Sequence, residues 1–383
     1  MRIALVTQDW PDFTGGGVAT LSLALATGLA ELGTHVAVWT RGGGRRTALV
    51  EARASSPQPH PVAVHPVAGR SWRRRGSGNW RRGLEHRLLG SQPDAVVVTT
   101  WEPLDAVLAV VAAAPDACRP SVAVMAHGRD ITGDPGAARR EQRDRALGSE
   151  VLWLVLSRWM EGQLRRRGVP SSRIVTVPAA VEEVPRVIPR PPRPATTLLT
   201  VGRLIPRKGQ DVVIEAIALL RERHPQLRYV VVGEGPDRGR LESLVARLGL
   251  QDRVSIAGWL DQHRLEAVWQ EADLFVMPAR EEPEGDTEGY GLVYLEAGAR
   301  GLPVVGGRSG GVPAAVRSGV NGELVDAPRD APAVAEVLEA LLGDPEHMAR
   351  LARAGRHRYE VAGRPIHLGR SVRDALVPAL GAH

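Results

Sequence analysis

The sequence predicts two α/β domains, each built on a parallel sheet with helices on both faces. Three observations carry that expectation. Short β-branched runs alternate with helical patterns through most of the chain, an arrangement that places parallel strands between crossover helices. A segment with five prolines in ten residues, Pro185-Arg-Val-Ile-Pro-Arg-Pro-Pro-Arg-Pro194, breaks the rhythm near the middle; it can be neither helix nor central strand and reads as a linker. The 383 residues, 43% of them hydrophobic, suffice for two cores of ordinary size.

Taken in order, the first domain (1–184) holds the buried strands Ile3–Thr7, Val36–Thr40, Ala95–Thr99, Val122–Ala126 and Leu152–Leu156. Between the first two, Val18, Leu21, Leu25 and Leu29 recur at the spacing of one helix face. After a linker (185–196), the second domain (197–364) starts with strand Leu198–Val201, helix Asp211–His224, strand Tyr229–Val232 and helix Arg238–Leu248. It continues with strand Val254–Ile256, helix Leu265–Glu271, strand Leu274–Met277, helix Leu292–Ala299 and strand Pro303–Val305. Two βαβ domains facing one cleft is the natural architecture, with a C-terminal helix (365–383) returning to the first domain.

Composition excludes several classes. The only cysteine, Cys118, can form neither an intramolecular disulfide nor a cysteine zinc cluster. The opening MRIALVTQDW reads as a strand and not as a signal peptide, and no apolar run reaches the length of a membrane span. A cytoplasmic chain is expected, with room for peripheral contact at the inner face of a membrane. The net charge is +6, and the basic residues are 48 Arg and one Lys, Lys208. Residues 1–184 carry 23 Arg against 17 acids, whereas residues 185–383 balance 26 against 26, so the surplus belongs to the first half. A pI near 10.3 raises nucleic acid as a partner. General Arg bias explains the value equally well, and no RNA-recognition aromatic motif, zinc finger or KH-type loop is present, so no specific nucleic-acid partner is expected.

Three clusters carry chemistry. Thr14-Gly15-Gly16-Gly17-Val18 follows the first strand and leads into a helix, where exposed N–H groups suit an anion; plain turn chemistry explains it as well. Gly202-Arg203-Leu-Ile-Pro-Arg207-Lys208-Gly209 follows the first strand of the second domain, so that two cations, Arg203 and Lys208, can clamp a diphosphate. A solvated basic loop is the competing reading, and it is disfavoured by the chain's only lysine falling there. In Glu288-Gly-Tyr-Gly-Leu-Val-Tyr-Leu-Glu296, Gly289 and Gly291 free the backbone before a helix whose first amides can bind phosphate. Glu296 lies where it can reach a ribose hydroxyl pair, and Glu288 where it can bond a sugar hydroxyl or stabilise developing positive charge. Two carboxylates at this spacing are also common on an ordinary helix face.

Together these clusters resemble glycosyltransferase family 4, the GT-B fold retaining nucleotide-sugar glycosyltransferases, and within it the bacterial phosphatidylinositol-mannoside mannosyltransferases. Val232-Gly-Glu-Gly-Pro236, Ser309-Gly-Gly-Val-Pro313 and Val320-Asn-Gly-Glu-Leu-Val325 are weaker echoes, and the resemblance covers nearly the whole chain. It implies a hexose transferred from GDP-mannose or a UDP-hexose to a hydroxyl acceptor, with no metal and no cofactor beyond the substrate. Arg203 and Lys208 would hold the diphosphate with Gly16, Gly17 and the amides of Gly289, Tyr290, Gly291 and Leu292, and Glu296 would hold the ribose. Glu288 would hold the sugar, and His127, in Met125-Ala-His-Gly-Arg-Asp130, matches the family's histidine near the reacting sugar. The chain departs from the family pattern at Pro178-Ala-Ala-Val-Glu182, where Asn-Gly-Val-Asp is frequent, and at Ala314, where Glu is frequent.

The acceptor side is expected in the first domain. Residues 70–87 read RSWRRRGSGNWRRGLEHR, and Arg70, Trp72, Arg73 and Arg74, with Asp130 elsewhere, are candidates for an anionic or lipid-linked acceptor. A solvated Arg-rich loop accounts for the same residues. A soluble natural product or an aminocyclitol is an alternative acceptor, and a GT-B sugar-nucleotide epimerase or an Arg-rich nucleic-acid binder are the remaining alternatives. A nicotinamide-dependent oxidoreductase would need GxGxxG after the first strand, which is absent.

Overall fold

The computed structural model of the protein describes residues 1–11, 16–41, 48–50, 62–67, 84, 88, 90–184 and 194–380. Residues 185–193 of the expected linker (185–196), Gly15, and Arg70, Trp72, Arg73 and Arg74 lie outside the described residues. The chain divides into two compact units, Met1–Glu183 with Ala362–His383, and Val184–Val361.

In the first unit the strands are β1 (Arg2–Thr7), β2 (His35–Arg41), β3 (Ala48–Val50), β4 (Val62–Val67), β5 (Ala95–Val98), β6 (Ser121–Ala126), β7 (Leu152–Val155) and β8 (Ile174–Thr176). They form one sheet in the order β3-β4-β2-β1-β5-β6-β7-β8, parallel throughout except for the antiparallel edge pair β3–β4. The Val- and Ala-rich runs are covered on both faces: Ile3 to Val6 and Val96 to Val98 are fully buried, as a parallel sheet between helix layers requires. The helices are α1 (Gly17–Glu31), α2 (Leu104–Ala112), α3 (Arg129–Thr132), α4 (Ala137–Gly148) and α5 (Arg158–Arg166). The C-terminal helix, α13 (Pro365–Leu380), also belongs to this unit.

The second unit has a six-stranded parallel sheet in the order β11-β10-β9-β12-β13-β14. Its strands are β9 (Thr197–Val201), β10 (Arg228–Val232), β11 (Val254–Gly258), β12 (Leu274–Met277), β13 (Val304–Gly307) and β14 (Gly322–Val325). Around it run α6 (Gln210–Leu220), α7 (Arg238–Arg247), α8 (Gln262–Glu271), α9 (Leu292–Ala299), α10 (Val312–Ala315), α11 (Ala331–Leu342) and α12 (Pro345–Arg358). Leu198, Tyr229, Val231, Leu274, Val276 and Val305 lie at the centre of the core, against Ile214, Ile217 and Leu338 of the helices.

Each unit is therefore a Rossmann-like sheet whose strand order reverses once, between β1 and β5 in the first and between β9 and β12 in the second. In such sheets ligands bind beyond the carboxyl ends of the strands at this reversal. The turn after β9 and the loop after β12, which hold the two strongest motifs, leave adjacent strands at that point.

Two differences from the sequence reading have physical causes. The apolar positions of α1 suggest one buried face, yet the helix is buried nearly all round, because α13 packs along it so closely that a Cβ on Gly28 would stand 1.9 Å from the Pro365 carbonyl oxygen. The α6 helix ends at Leu220 instead of continuing to His224, where the chain turns to deliver Leu227 and Tyr229 to the core. The sequence reading does not include strands β3, β4, β8 and β14.

Candidate functional site

The turn after β9 is held from below by glycines. A Cβ on Gly233 would lie 2.0 Å from the Gly202 carbonyl oxygen, and one on Gly235 would lie 2.2 Å from that of Leu204. The Val232-Gly-Glu-Gly segment thus lets two strand ends meet backbone to backbone, with the Leu204 amide donating to the Glu234 carbonyl at 2.9 Å. Leu204 is fully buried, which fixes the turn while Arg203 stays exposed. Pro206 opens a 3-10 turn over Pro206–Lys208, and Gly209 ends it with φ +73°. That left-handed conformation favours glycine, and it folds Arg207 and Lys208 back over the strand end.

The loop after β12 arrives beside them. Pro278 and Ala279 are gripped between Gly209 on one side and Gly307 on the other; a Cβ on Gly307 would meet the Ala279 carbonyl oxygen at 2.1 Å. Beyond this grip the loop returns Asp286 and Glu288 to the turn. Lys208 Nζ donates to Glu288 Oε2 at 2.7 Å, Arg207 Nη1 donates to the same oxygen, and Arg207 Nε pairs with Asp286 Oδ1 at 3.1 Å. All four side chains are largely withdrawn from solvent, Arg207 and Lys208 being 12% exposed and Glu288 16%. The Gly311 amide donates to the Glu288 carbonyl at 2.7 Å, fixing the acid from behind.

Burial alone would raise the Glu288 carboxyl, but the charges and hydrogen bonds of Lys208 and Arg207 bring it down to about 2. Burial likewise pulls the Lys208 ammonium below its ordinary value, opposed by Glu288 and reinforced by the neighbouring positive charges of Arg207 and Arg203. The result is a desolvated cluster of two cations and two carboxylates, with Arg203 exposed at its edge.

The α9 helix begins at this cluster. Gly291, with φ +86°, precedes it, no side chain caps its N-terminus and no acid stands in its first turn, so its leading N–H groups keep their capacity for an anion. Tyr294 locks the helix to the sheet through a hydrogen bond to the Met277 carbonyl and an edge contact with Phe275. The Tyr290 side chain is not part of the open site: it is buried, and its hydroxyl accepts from Arg358 Nη2 at 3.1 Å. Only the backbone of Tyr290 remains for a phosphate. Glu296, further along α9, is half-buried and its carboxylate has no hydrogen-bond partner among the described residues. Burial raises its carboxyl, with Arg300 and Lys208 pulling the other way.

The remaining candidates lie in the first unit. Gly16, with φ +119°, and Gly17 are exposed and open α1, again with no side-chain cap and no acid in the first turn. His127 follows β6, and its Nε2 contacts the Thr99 carbonyl at 2.5 Å. A carbonyl only accepts, so His127 carries a proton on Nε2 and presents Nδ1 as its other nitrogen. The Asp130 carboxylate accepts from the His127 amide at 3.1 Å and the Gly128 amide at 2.7 Å. Asp130 therefore shapes the turn that holds His127.

Sequence reasoning named Lys208, Glu288 and Glu296 but passed over Arg207 and Asp286, which complete the cluster. The available signals were Arg207 in the same turn as Lys208 and the Asp286-Thr-Glu288 alternation; neither says which side chains fold inward.

Comparisons with known proteins concern the family and the fold. A model of the glycosyl transferases group 1 matches residues 183–358, and one of glycosyltransferase family 4 matches residues 15–185. The chain is 42% identical over 161 residues to a GDP-mannose-dependent alpha-(1-6)-phosphatidylinositol monomannoside mannosyltransferase of Mycolicibacterium smegmatis, covering 42% of each chain. It is 34% identical over 213 residues to the putative colanic acid biosynthesis glycosyltransferase WcaL of Escherichia coli, covering 55% of this chain and 52% of that one. These matches thus span about half the length of the curated relatives, or somewhat less. Among solved structures, sucrose-phosphate synthase from Thermosynechococcus elongatus superposes over the full length of both chains with a TM-score of 0.80 at 21% identity, which identifies the fold as GT-B. The two family models together run from residue 15 to residue 358 across both sheets, and the chain belongs to glycosyltransferase family 4.

Proposed function

We propose that the chain transfers a hexose from a nucleoside-diphosphate sugar to a hydroxyl acceptor, with mannose from GDP-mannose as the first candidate and UDP-linked hexoses as the second. The observation that carries this reading is the desolvated Arg207–Lys208–Glu288 cluster at the strand-order reversal, beside the uncapped start of α9. The similarity to a GDP-mannose-dependent mannosyltransferase supports the donor.

The chemistry follows from charge. As the bond between the anomeric carbon and the phosphate oxygen breaks, negative charge grows on the departing diphosphate. Lys208 and the N–H groups opening α9 stabilise it from a site largely withdrawn from water, where such groups act most strongly, and Arg203 adds its charge from the exposed edge. These groups supply the positive charge that the departing diphosphate needs, so the reaction proceeds without a metal. Glu296 accepts from the ribose hydroxyls, and Glu288 accepts from a hydroxyl of the sugar while balancing positive charge near the anomeric carbon. The resemblance to the family assigns His127 to the sugar and Gly16 and Gly17 to the phosphates. The acceptor oxygen bonds to the anomeric carbon on the face the phosphate leaves, its proton passes to the departing phosphate oxygen, and configuration is retained.

The acceptor is anionic or lipid-linked, held by the Arg- and Trp-bearing segment with Arg70, Trp72, Arg73 and Arg74. The chain would then work at the inner face of a membrane; no helix among the described residues is long and apolar enough to cross one. The relative that uses phosphatidylinositol monomannoside supports this class.

A thermal-shift panel of nucleotide sugars, followed by turnover assays in EDTA, tests the reading. A donor at 100 times its Kd stabilises the folded chain by about 2.7 kcal/mol, so GDP-mannose should raise the melting temperature by several degrees and be turned over with EDTA present. No shift from any nucleotide sugar would overturn the assignment.

A further inference from the structure

Two groups of charged side chains fasten the loop between β12 and α9 to the turn after β9, and the Lys208–Glu288 cluster is only one of them. At the other, buried Arg280 places its two Nη atoms on the Asp211 carboxylate at 2.9 and 3.0 Å and its Nε on Glu282 at 2.7 Å. Asp211 lies in the first turn of α6, just beyond Lys208 and Gly209, and also takes Arg240 of α7 at 3.0 Å. The Arg280 amide donates to the Arg207 carbonyl at 2.9 Å, so backbone and side chain bind the same turn. From there the loop closes on itself, the Glu282 amide donating to the Asp286 carbonyl at 2.9 Å. Whatever fixes Arg280 and Glu282 therefore fixes Asp286, and Glu288 two residues on.

A planar guanidinium held by two carboxylates constrains direction as well as distance, unlike an ammonium. Burying such a group is costly unless all its partners stay in place, so the pair tolerates little displacement of the loop. We propose that Arg280 and Asp211 are positioning residues. Their two-pronged pair sets the path of residues 279–291, and through it the place of the Glu288 carboxylate and of the N–H groups that open α9. The kinetic half of the proposal rests on the nucleotide-sugar reading above, and the structural half does not.

The test uses Asp211→Asn, which keeps shape and removes the charge, and Arg280→Gln. Arg280→Lys, which keeps the charge and loses the fork, serves if Arg280→Gln does not fold. Amide hydrogen exchange of the full chain is measured without donor. The expected result is at least tenfold faster exchange in residues 281–291, with residues 213–220 of α6 unchanged. With the donor found in the thermal-shift panel, kcat should fall at least tenfold while KM for the donor changes less than threefold. Wild-type exchange in 281–291 would overturn the proposal whatever the chain turns over. Faster exchange with an unchanged kcat would overturn the claim of positioning. If the wild-type chain turns over no nucleotide sugar, the functional reading fails and the exchange result alone decides the fastening.

Discussion

Gly209 and Pro278 meet through their backbones: a Cβ on Gly209 would sit 2.5 Å from the Pro278 carbonyl oxygen. This contact brings the ends of two adjacent strands together and lets the cations of one loop reach the carboxylates of the other. Gly209→Ala should therefore disturb both stability and chemistry. Forcing an alanine to φ +73° costs on the order of 1–3 kcal/mol in backbone strain, before Pro278 has to move. Urea unfolding should show a lower midpoint, and turnover should fall at least tenfold. Wild-type values for both would show that the contact is dispensable.

Lys208→Ala separates binding charge from folding charge. Glu288 keeps Arg207 as a partner, so the variant should fold, but the group proposed to meet the leaving diphosphate is gone. Truncating one member of a desolvated charge pair costs about 2–5 kcal/mol, which corresponds to roughly 30- to 5,000-fold in rate. Near-normal turnover in a steady-state donor assay would sink the role assigned to this lysine.

The Glu288 carboxyl, at about 2 in the folded chain against an ordinary value of 4.5, predicts an acid dependence. Because the unfolded chain takes up the proton first as pH falls, this acid stabilises the fold fully above about pH 4.5 and loses that contribution as pH falls toward 2. The amount is on the order of a few kcal/mol. Unfolding free energies of wild type and Glu288→Gln should differ most above pH 5 and converge toward pH 2. A difference independent of pH would contradict the ion-paired state.

Glu182 has the opposite sign. Burial pushes its carboxyl up to about 7, opposed by the hydrogen bond that Thr27 Oγ1 donates at 3.5 Å and helped to a smaller extent by the negative charges of Glu31 and Glu183. The folded chain binds this proton more tightly than the unfolded chain, so the stabilisation is complete below about pH 4.5 and is lost as pH rises through 7. The site lies where the C-terminal segment joins the first unit: the Val181 amide donates to the Gly363 carbonyl at 3.1 Å, and Arg364 pairs with Glu183. Glu182→Gln should stabilise the chain at pH 8 by about 1–3 kcal/mol and have little effect at pH 5. Calorimetry at the two pH values checks this, and equal effects at both would refute it.

Fold class and type of chemistry are both legible in the amino-acid order. Buried strands of a parallel sheet must be continuous apolar runs, and crossover helices must show their own period, so both appear in the letters from Ile3 to Val305. The glycine, lysine and glutamate motifs were legible because a turn with φ above zero and a phosphate-facing amide leave few residue choices. Which charges face one another depends on the folded chain. Arg207 resembles any of the 48 arginines until the contact between Gly209 and Pro278 folds it against Asp286 and Glu288. Arg280 and Asp211 are 69 residues apart in the chain and become partners only because β9 and β12 are neighbours in the sheet. Tyr290, conversely, lies in the motif but has its side chain turned away to Arg358. Local spacing constrains backbone conformation, whereas the pairing of buried charges depends on contacts between residues distant in sequence, which spacing does not encode.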